Sequence, residues 1–168
     1  MKFKVSVYFL IFIILNQINC LSMMLPDKPD PNQMQLQKIV TLAGKSKNEI
    51  FQKTIEWLTK TFIPNDDVVQ LKDNKEGLII AIGNTNISYV IMGAPVSTKV
   101  FFKMKIEIKD GKARVTYDDY YQEAPGKTTG VVKVPLQYKV QMDTLNTRLD
   151  EISKNYELYV SGNQQDNW

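Results

Sequence analysis

The residue types that most enzymes use for acid-base and nucleophilic chemistry are scarce in this chain. Its 168 residues include no histidine, which removes the commonest general base and every Ser-His or Cys-His mechanism. The single cysteine, Cys20, excludes an intrachain disulfide and a cysteine-rich metal site. We therefore predict no catalytic residues, no metal ligands and no cofactor, in a protein that is not an enzyme.

Carboxylates are the remaining candidates for chemistry. Asp66-Asp67 and Asp118-Asp119 are acidic pairs that could bind a hard cation such as Ca²⁺. Neither pair has the glycine and the further acids of a calcium loop, so a turn cap and a solvated strand pair are the favoured interpretations. A carboxylate-based hydrolase is a remote alternative, because it needs a cleft that holds two acids about 5 to 10 Å apart.

Phosphate and nucleic acid are not expected ligands. The tripeptide GKT at residues 126–128 resembles the end of a phosphate-binding loop, but Tyr121 stands where the first glycine is needed and no apolar-striped helix starts at Thr128. Lys and Arg number 21 against 18 Asp and Glu, and Lys2 and Lys4 lie in a segment that we expect to be removed. The rest is close to neutral, so we predict no nucleic-acid partner.

A group of aromatic residues is the strongest candidate for a binding surface. Phe101, Tyr117, Tyr120 and Tyr121 fall at one end of a predicted sheet, partly on its solvent face. Recognition surfaces are enriched in aromatic side chains, although a covering loop or an oligomer contact would also explain these residues. We treat the four as a possible partner-binding surface. Trp57, in contrast, is more typical of a core residue.

The N-terminal residues predict export from the cytoplasm. Residues 1–20 contain two lysines, an apolar run of eleven residues and a short polar stretch, as a secretory signal peptide does. Such a run is shorter than the ~20 residues that span a bilayer. Cleavage after Cys20 or Ser22 and lipidation of Cys20 are both open. We expect a periplasmic or outer-membrane-surface protein, in contact with the membrane only through a possible lipid anchor.

One folded domain is predicted after the signal peptide. Residues 21–35 contain three prolines among scattered polar groups, which predicts a flexible tether. The domain itself spans residues 36–162, and residues 163–168 form a polar tail.

The clearest element of this domain is an amphipathic helix from Ser46 to Phe62. Ser46 and Glu49 have the spacing of a capping box, and Pro64 ends the helix. Its apolar stripe consists of Phe51, Ile55, Leu58 and Phe62, with Ile50 and Trp57 at the margin.

Extended segments follow this helix and one precedes it. Residues 36–42, 68–73 and 78–82 predict strands. Residues 87–92 either continue the last of these strands or form a separate one, and a short extended run is expected within residues 131–140.

The longest extended segment, Thr98 to Gln122, has a register that the sequence itself specifies. Asp110-Gly111 is a favoured two-residue turn, and the cross-strand partners follow from it. The core face pairs Ile108 with Ala113, Ile106 with Val115 and Met104 with Tyr117; the solvent face pairs Glu107 with Arg114, Lys105 with Thr116 and Lys103 with Asp118. Further on, this register places Phe101 opposite Tyr120 outside and turns Asp119 inward, so we expect either a bulge or a covered sheet end.

A second helix closes the domain. Helical spacing of apolar residues runs through residues 143–160 until Gly162, at Leu145, Leu149, Ile152, Tyr156 and Tyr159. The element order is β-α-β4-α. We predict an α+β two-layer sandwich, in which a curved antiparallel sheet has both helices on one face.

Three segments resemble a known family in their order and spacing. They are GKSKNEIFQKTIEWLTKTF, VVQLKDNKEGLIIAIGN and KMKIEIKDGKARVTYDDYY. This part, Leu36 to Gln122, is similar to a bacterial envelope domain of unknown function with a TATA-binding-protein-like fold. The resemblance implies the same β-α-β4-α order and a secreted or lipid-anchored protein of a Gram-negative bacterium. It implies no activity, because a shared fold does not transfer function.

Two functions from different classes fit these observations. The first is a non-catalytic envelope module that binds an unknown envelope protein or ligand on its sheet. The second is a structural protein that associates with other copies of itself through an exposed strand edge or the solvent face of the sheet.

Overall fold

The computed structural model describes residues 27–62, 68–126 and 130–162. Several predictions concern residues outside these ranges: the signal peptide of residues 1–20, lipidation of Cys20, the helix stop at Pro64, the acidic pair Asp66-Asp67, most of the GKT tripeptide and the polar tail.

The described residues form one antiparallel sheet with both helices on one face. The elements are β1 Leu36–Thr41, α1 Lys47–Thr61, β2 Val69–Asp73, β3 Leu78–Ile91, β4 Ala94–Lys109, β5 Lys112–Pro125, β6 Val131–Pro135 and α2 Lys139–Ser161. The strand order is β1-β5-β4-β3-β2, with β6 paired to β5 beyond β1. The predicted α+β architecture is confirmed. Five strands lie between the helices, one more than the predicted four. The additional strand is β6, which pairs with the end of β5.

Helix α1 begins and ends where the sequence indicates. The Ser46 Oγ accepts a hydrogen bond from the Glu49 N–H at 3.3 Å, and Phe62 is the C-terminal cap. Its buried residues are Ile50, Phe51, Thr54, Trp57 and Leu58. Ile55 is only half-buried and Thr54 is buried, so the buried face is shifted toward Ile50 and Trp57, which the spacing placed at the margin. Trp57 is a core residue, as predicted, and its ring N–H donates to Asn155 Oδ1 at 2.8 Å.

Helix α2 is longer than predicted. It starts at Lys139, so the end of the extended run expected over residues 131–140 is helical. The Gln141 side-chain oxygen accepts from the N–H of Tyr138 at 3.1 Å, which closes the first turn. Gly162 ends the helix in a left-handed conformation with φ 82°.

Strand β3 is continuous, which answers the question about residues 87–92. It pairs with β4 at every position from Leu78 to Ile91. Gly83 breaks the apolar pattern for a packing reason: a Cβ atom there would lie 2.6 Å from the ring of Phe102. Met92 and Gly93 both have positive φ and form the turn to β4, which therefore starts earlier than the predicted Thr98.

The register of the β4–β5 hairpin is confirmed at every predicted pair from Ile108–Ala113 to Lys103–Asp118. Beyond it, β4 advances two residues, from Lys103 to Phe101, while β5 advances three, from Asp118 to Tyr121. The extra residue is a β-bulge in which Asp119 has φ 55°. Of the two alternatives, the bulge is the one present.

Two hydroxyl pairs join the helices to each other and to the sheet. Thr54 Oγ1 lies 2.8 Å from the Tyr156 hydroxyl and also donates to the Ile50 carbonyl at 2.7 Å. The Tyr117 hydroxyl lies 2.9 Å from Ser153 Oγ. Burial raises the pKa of Tyr117 to about 12 and also raises the pKa of Tyr156. Both phenols therefore stay neutral and serve as hydrogen-bonding core residues.

The described part of the predicted tether is attached to the domain. Residues 31–33 form a short 3-10 helix capped by Asp30. The Lys139 N–H donates to the Asp27 carbonyl at 2.7 Å, and Gln33 donates to Asp143 at 3.0 Å. Residues 27–35 thus contact the start of α2, where the sequence suggested no regular structure.

We expect Thr54→Val to lower the free energy of unfolding by about 1–3 kcal/mol, because the buried Tyr156 hydroxyl would lose its partner. Tyr156→Phe should cost about 0.5–1.5 kcal/mol, since Thr54 keeps its bond to Ile50, and the double variant should cost less than the sum. Urea unfolding of the three variants measures this coupling. Thr59→Val, which removes a hydroxyl bonded to Glu56 on the exposed side of α1, is the matched control. Strictly additive losses would contradict a direct bond.

We expect substitution by glycine to have opposite effects on stability at the bulge and at a regular position further along β5. A left-handed conformation costs a non-glycine residue up to about 1–2 kcal/mol, so Asp119→Gly should keep or raise the stability while Asp119→Val should lower it. Glu123→Gly, at an exposed and extended position of the same strand, should be destabilising. Thermal unfolding compares the three variants. A loss of stability in Asp119→Gly equal to that in Glu123→Gly would show that the backbone at residue 119 is not left-handed.

Candidate functional site

The face of the sheet turned away from the helices, called the open face below, carries a ladder of charged pairs near the β4–β5 turn. Arg114 donates two hydrogen bonds to Glu107, at 2.9 and 2.8 Å, and Lys105 lies 3.4 Å from the same carboxylate. The hydrogen bond from Arg114 is the main reason that the pKa of Glu107 is below its usual range. Lys103 and Asp118 pair at 3.0 Å. These pairs satisfy one another and support the predicted register.

At the other end of the open face, two aromatic rings from neighbouring strands are stacked. The rings of Phe101 and Tyr121 are 5.0 Å apart between centroids and 8° from parallel. Lys99 Nζ lies 5.4 Å from the Phe101 centroid, and Lys133 Nζ lies 4.3 Å from the Tyr121 centroid. These four residues are called the aromatic-lysine cluster below. Its members come from β4, β5 and β6, and both rings are half-buried.

The other two residues of the predicted aromatic surface lie inside the protein. Tyr117 is 0% exposed and Tyr120 is 4% exposed, and the Tyr120 hydroxyl donates to the Tyr117 carbonyl at 2.9 Å. The bulge turns Tyr120 inward and leaves Tyr121 opposite Phe101. Burial raises the pKa of Tyr120 well above that of a free phenol. The predicted placement of Tyr120 on the outer face was therefore wrong, and two of the four aromatic residues remain available on the open face.

Sequence reasoning missed the two lysines of the cluster. Lys99 precedes Phe101 by two residues, and the alternation of side chains along a strand already places both on one face. Lys133 could not be found in this way, because its position depends on the pairing of Glu123 with Lys133 between β5 and β6.

A shallow groove of about 530 Å³ lies on the open face near the β4–β5 turn. Ile39, which is 69% exposed, and Leu78 supply apolar surface, while Lys109 and Lys112 supply positive charge. The sequence predictions do not include this groove.

A second depression, of about 450 Å³, lies between the outer part of β3 and α2. Its acids are already engaged: Asp143 pairs with Lys139 at 2.6 Å, and Glu151 pairs with Arg148. The hydrogen bond from Lys139 holds the pKa of Asp143 below its usual value. That shift is opposite to the one that a general acid in a carboxylate-based hydrolase requires.

The acidic pair Asp118-Asp119 is divided between two environments. Asp118 pairs with Lys103, and Asp119 is exposed at the bulge. In the part of the chain that the structure describes, no three His, Cys, Asp or Glu residues are grouped so that they could hold a metal ion. Neither described helix is long and apolar enough to cross a bilayer.

Comparison with known proteins places the chain in a family. The model of a domain of unknown function with a TBP-like fold, DUF4468, matches residues 37–122, where TBP denotes the TATA-binding protein. This range holds α1, the bulge and all but the last three residues of the β4–β5 hairpin, and it agrees with the resemblance found in the sequence. A search of curated proteins finds no match.

Two solved structures of bacterial proteins share the fold. A DUF4468 family protein from Bacteroides ovatus ATCC 8483 aligns over 84% of this chain and 93% of its own, with a TM-score of 0.55 and 15% identity. A TBP-like protein from Parabacteroides distasonis ATCC 8503 aligns over 82% of this chain and 99% of its own, with a TM-score of 0.58 and 15% identity. At this identity the likeness shows the fold alone. From the match of its family model, the chain belongs to the DUF4468 family, bacterial domains of unknown function with a TBP-like fold.

Proposed function

We propose that this protein is a non-catalytic binding module of the bacterial cell envelope, which holds a partner protein or ligand on the open face of its sheet. The observation that carries the proposal is the aromatic-lysine cluster. Phe101 and Tyr121 leave apolar ring surface on a face that also carries charged pairs. Apolar surface with a polar rim is the usual composition of a recognition site.

The cluster is ordered before any partner arrives. Each ring is packed against the other, and each has a lysine ammonium within 5.4 Å of its centroid. Because side chains that are already held lose little conformational entropy on binding, such a surface gains affinity from the contacts it makes. The lysines add a preference for partners that carry negative charge near an apolar group.

The expected location and the absence of catalysis rest on sequence observations. The signal-peptide pattern of residues 1–20 supports export to the envelope, and Cys20 supplies a possible lipid anchor. A chain with no histidine lacks the commonest general base, which supports a binding function over an enzymatic one. No nucleic-acid partner is proposed, since an exported protein does not meet DNA in the cytoplasm.

We expect the double variant Phe101→Ala and Tyr121→Ala to weaken capture of the partner by at least about tenfold, because truncation of buried aromatic contacts costs about 2 kcal/mol or more at binding hot spots. Quantitative affinity capture from envelope extracts of the producing bacterium, with the full chain as bait, measures this loss. Ile39→Ala is the matched control, because it removes an exposed apolar side chain from the distant end of the same face. Circular dichroism confirms that each variant is folded.

An unchanged set and yield of captured molecules in the double variant would refute the aromatic-lysine cluster as the binding site. Equal losses in the double variant and in Ile39→Ala would instead indicate a partner that covers the whole face without dependence on the aromatic-lysine cluster.

A further inference from the structure

Strand β3 is paired along its whole length on one side and only at its start on the other. β4 lies beside it from Leu78 to Ile91, whereas β2 reaches only from Leu78 to Ala81. The last contact on the β2 side is the bond from the Ile82 N–H to the Val68 carbonyl at 2.8 Å. From residue 83 to residue 91, no strand within the described ranges pairs with this side of β3. This stretch is called the free edge below.

The backbone groups that point outward along the free edge can be assigned. The Ile82 N–H points to the β2 side, and the Gly77 carbonyl points to the β4 side, where it accepts from the Ile108 N–H at 2.7 Å. Because successive residues of a strand direct their N–H and C=O groups to opposite sides, even-numbered residues face outward. The outward-facing residues are Asn84, Asn86, Ser88 and Val90.

The free edge lacks the features that protect exposed strands. Its sequence, GNTNISYVI, contains no charged residue and no proline, and its register with β4 has no bulge. Natural sheets normally protect an exposed edge with lysine, proline, a bulge or a very short strand.

The other edges of this sheet carry such protection. β1 contains Lys38, β2 is five residues long and has a register shift, and β6 contains Lys133 and ends at Pro135. The outer part of β4, which extends beyond its pairing with β5, contains Pro95 and Lys99. The free edge of β3 therefore differs from the other edges of the same sheet, and this difference indicates that it is suited to pairing with another strand.

We propose that the free edge pairs with the free edge of a second copy of the chain, antiparallel about a two-fold axis at Ile87. In this register Asn86 lies opposite Ser88 of the second copy and Asn84 lies opposite Val90, so all outward-facing N–H and C=O groups exchange hydrogen bonds. On the helix side Ile87 meets its own counterpart. The sheets of the two copies join into one, and the closed symmetry stops further growth.

The charge around the free edge favours an identical partner over a charged one. The depression beside it is lined by Asp143, Arg148 and Glu151, and these groups are neutralised by the pairs Lys139–Asp143 and Arg148–Glu151. A second copy brings an uncharged edge and the same internally neutralised ion pairs, so no net charge enters this region. An acidic or basic peptide would have to lose solvation without gaining a free counter-ion.

The pairing is tested on the full chain by sedimentation over a range of concentrations, together with amide hydrogen exchange measured by NMR. We expect a species of twice the chain mass to appear as the concentration rises. With it, the amides of Asn84, Asn86 and Ser88 should become protected. The amides of Thr85, Ile87 and Tyr89 should be protected at every concentration, because they are bonded to β4.

A proline pair supplies the matched variants. Ser88 and Ser97 face each other across the β3–β4 hairpin, with their hydroxyls 3.3 Å apart, and the N–H of each points away from that hairpin's ladder. Ser88→Pro removes a donor of the free edge, and we expect it to weaken dimerisation at least about tenfold, because the symmetric interface loses that bond twice. Ser97→Pro removes the equivalent donor of β4 and should leave dimerisation unchanged.

Several outcomes would overturn the proposal. They are a monomer at all concentrations, a dimer unaffected by Ser88→Pro, and even-numbered amides that are already protected in the monomer, since another part of the same chain would then occupy the edge. If Ser88→Pro does not fold, Ser88→Lys against Ser97→Lys makes the same comparison. In that pair the charge at residue 88 alone should abolish the dimer.

Discussion

One extra residue in β5 determines how the far end of the sheet is built. Up to Asp118, β5 follows β4 with strict alternation between a core face and an open face. Asp119 then takes a left-handed backbone conformation and adds a residue without a partner. The alternation of β5 is thereby inverted, so Tyr120 enters the core and Tyr121 comes to lie on Phe101. Without this bulge, the register of the hairpin would turn Asp119 into the core and place Tyr120, instead of Tyr121, opposite Phe101 on the open face.

The bulge also precedes the point at which the sheet divides. Strand β5 pairs with β4 only as far as Gln122 and continues to Pro125 beside β6. Strands β3 and β4 continue together as a separate hairpin, whose inner side is supported by α2: Ile87 is buried and Tyr89 accepts a hydrogen bond from Gln141 at 2.8 Å. A bulge increases the local twist of a strand, which is the physical basis for such a division. The aromatic-lysine cluster lies where the β5–β6 pair separates from the β3–β4 hairpin, and the free edge belongs to the β3–β4 hairpin.

The parts of this fold that sequence could predict are those fixed by local rules. The capping residues and the 3.6-residue period specify where helix α1 lies, and the Asp110-Gly111 turn specifies the strand register of the β4–β5 hairpin. The structure confirms both. The sequence predicted the bulge as only one of two alternatives. The outcome depends on whether the free energy gained by burying Tyr120 exceeds the cost of the left-handed backbone conformation at Asp119. The predicted strand of residues 78–82 stops short of Gly83, because the role of this glycine, which is to make room for Phe102, depends on a neighbouring strand. Packing against other strands decides the structure at such positions, and the alternation of residues along one strand carries no information about that packing.

The two ends of the β4–β5 hairpin are held by different contacts. At the turn, Asp110 accepts from the Lys47 N–H at 2.6 Å, and the Gly111 N–H donates to the Lys45 carbonyl at 2.9 Å. The turn thus caps the start of α1 and uses its own polar groups to do so. At the other end, the stacked rings of Phe101 and Tyr121 are only half-buried on the open face. Next to this hairpin, no strand of the described residues pairs with the outer side of β3 beyond Ile82. The turn end of the hairpin therefore ties the sheet to α1, and the opposite end carries the surfaces on which both proposals rest.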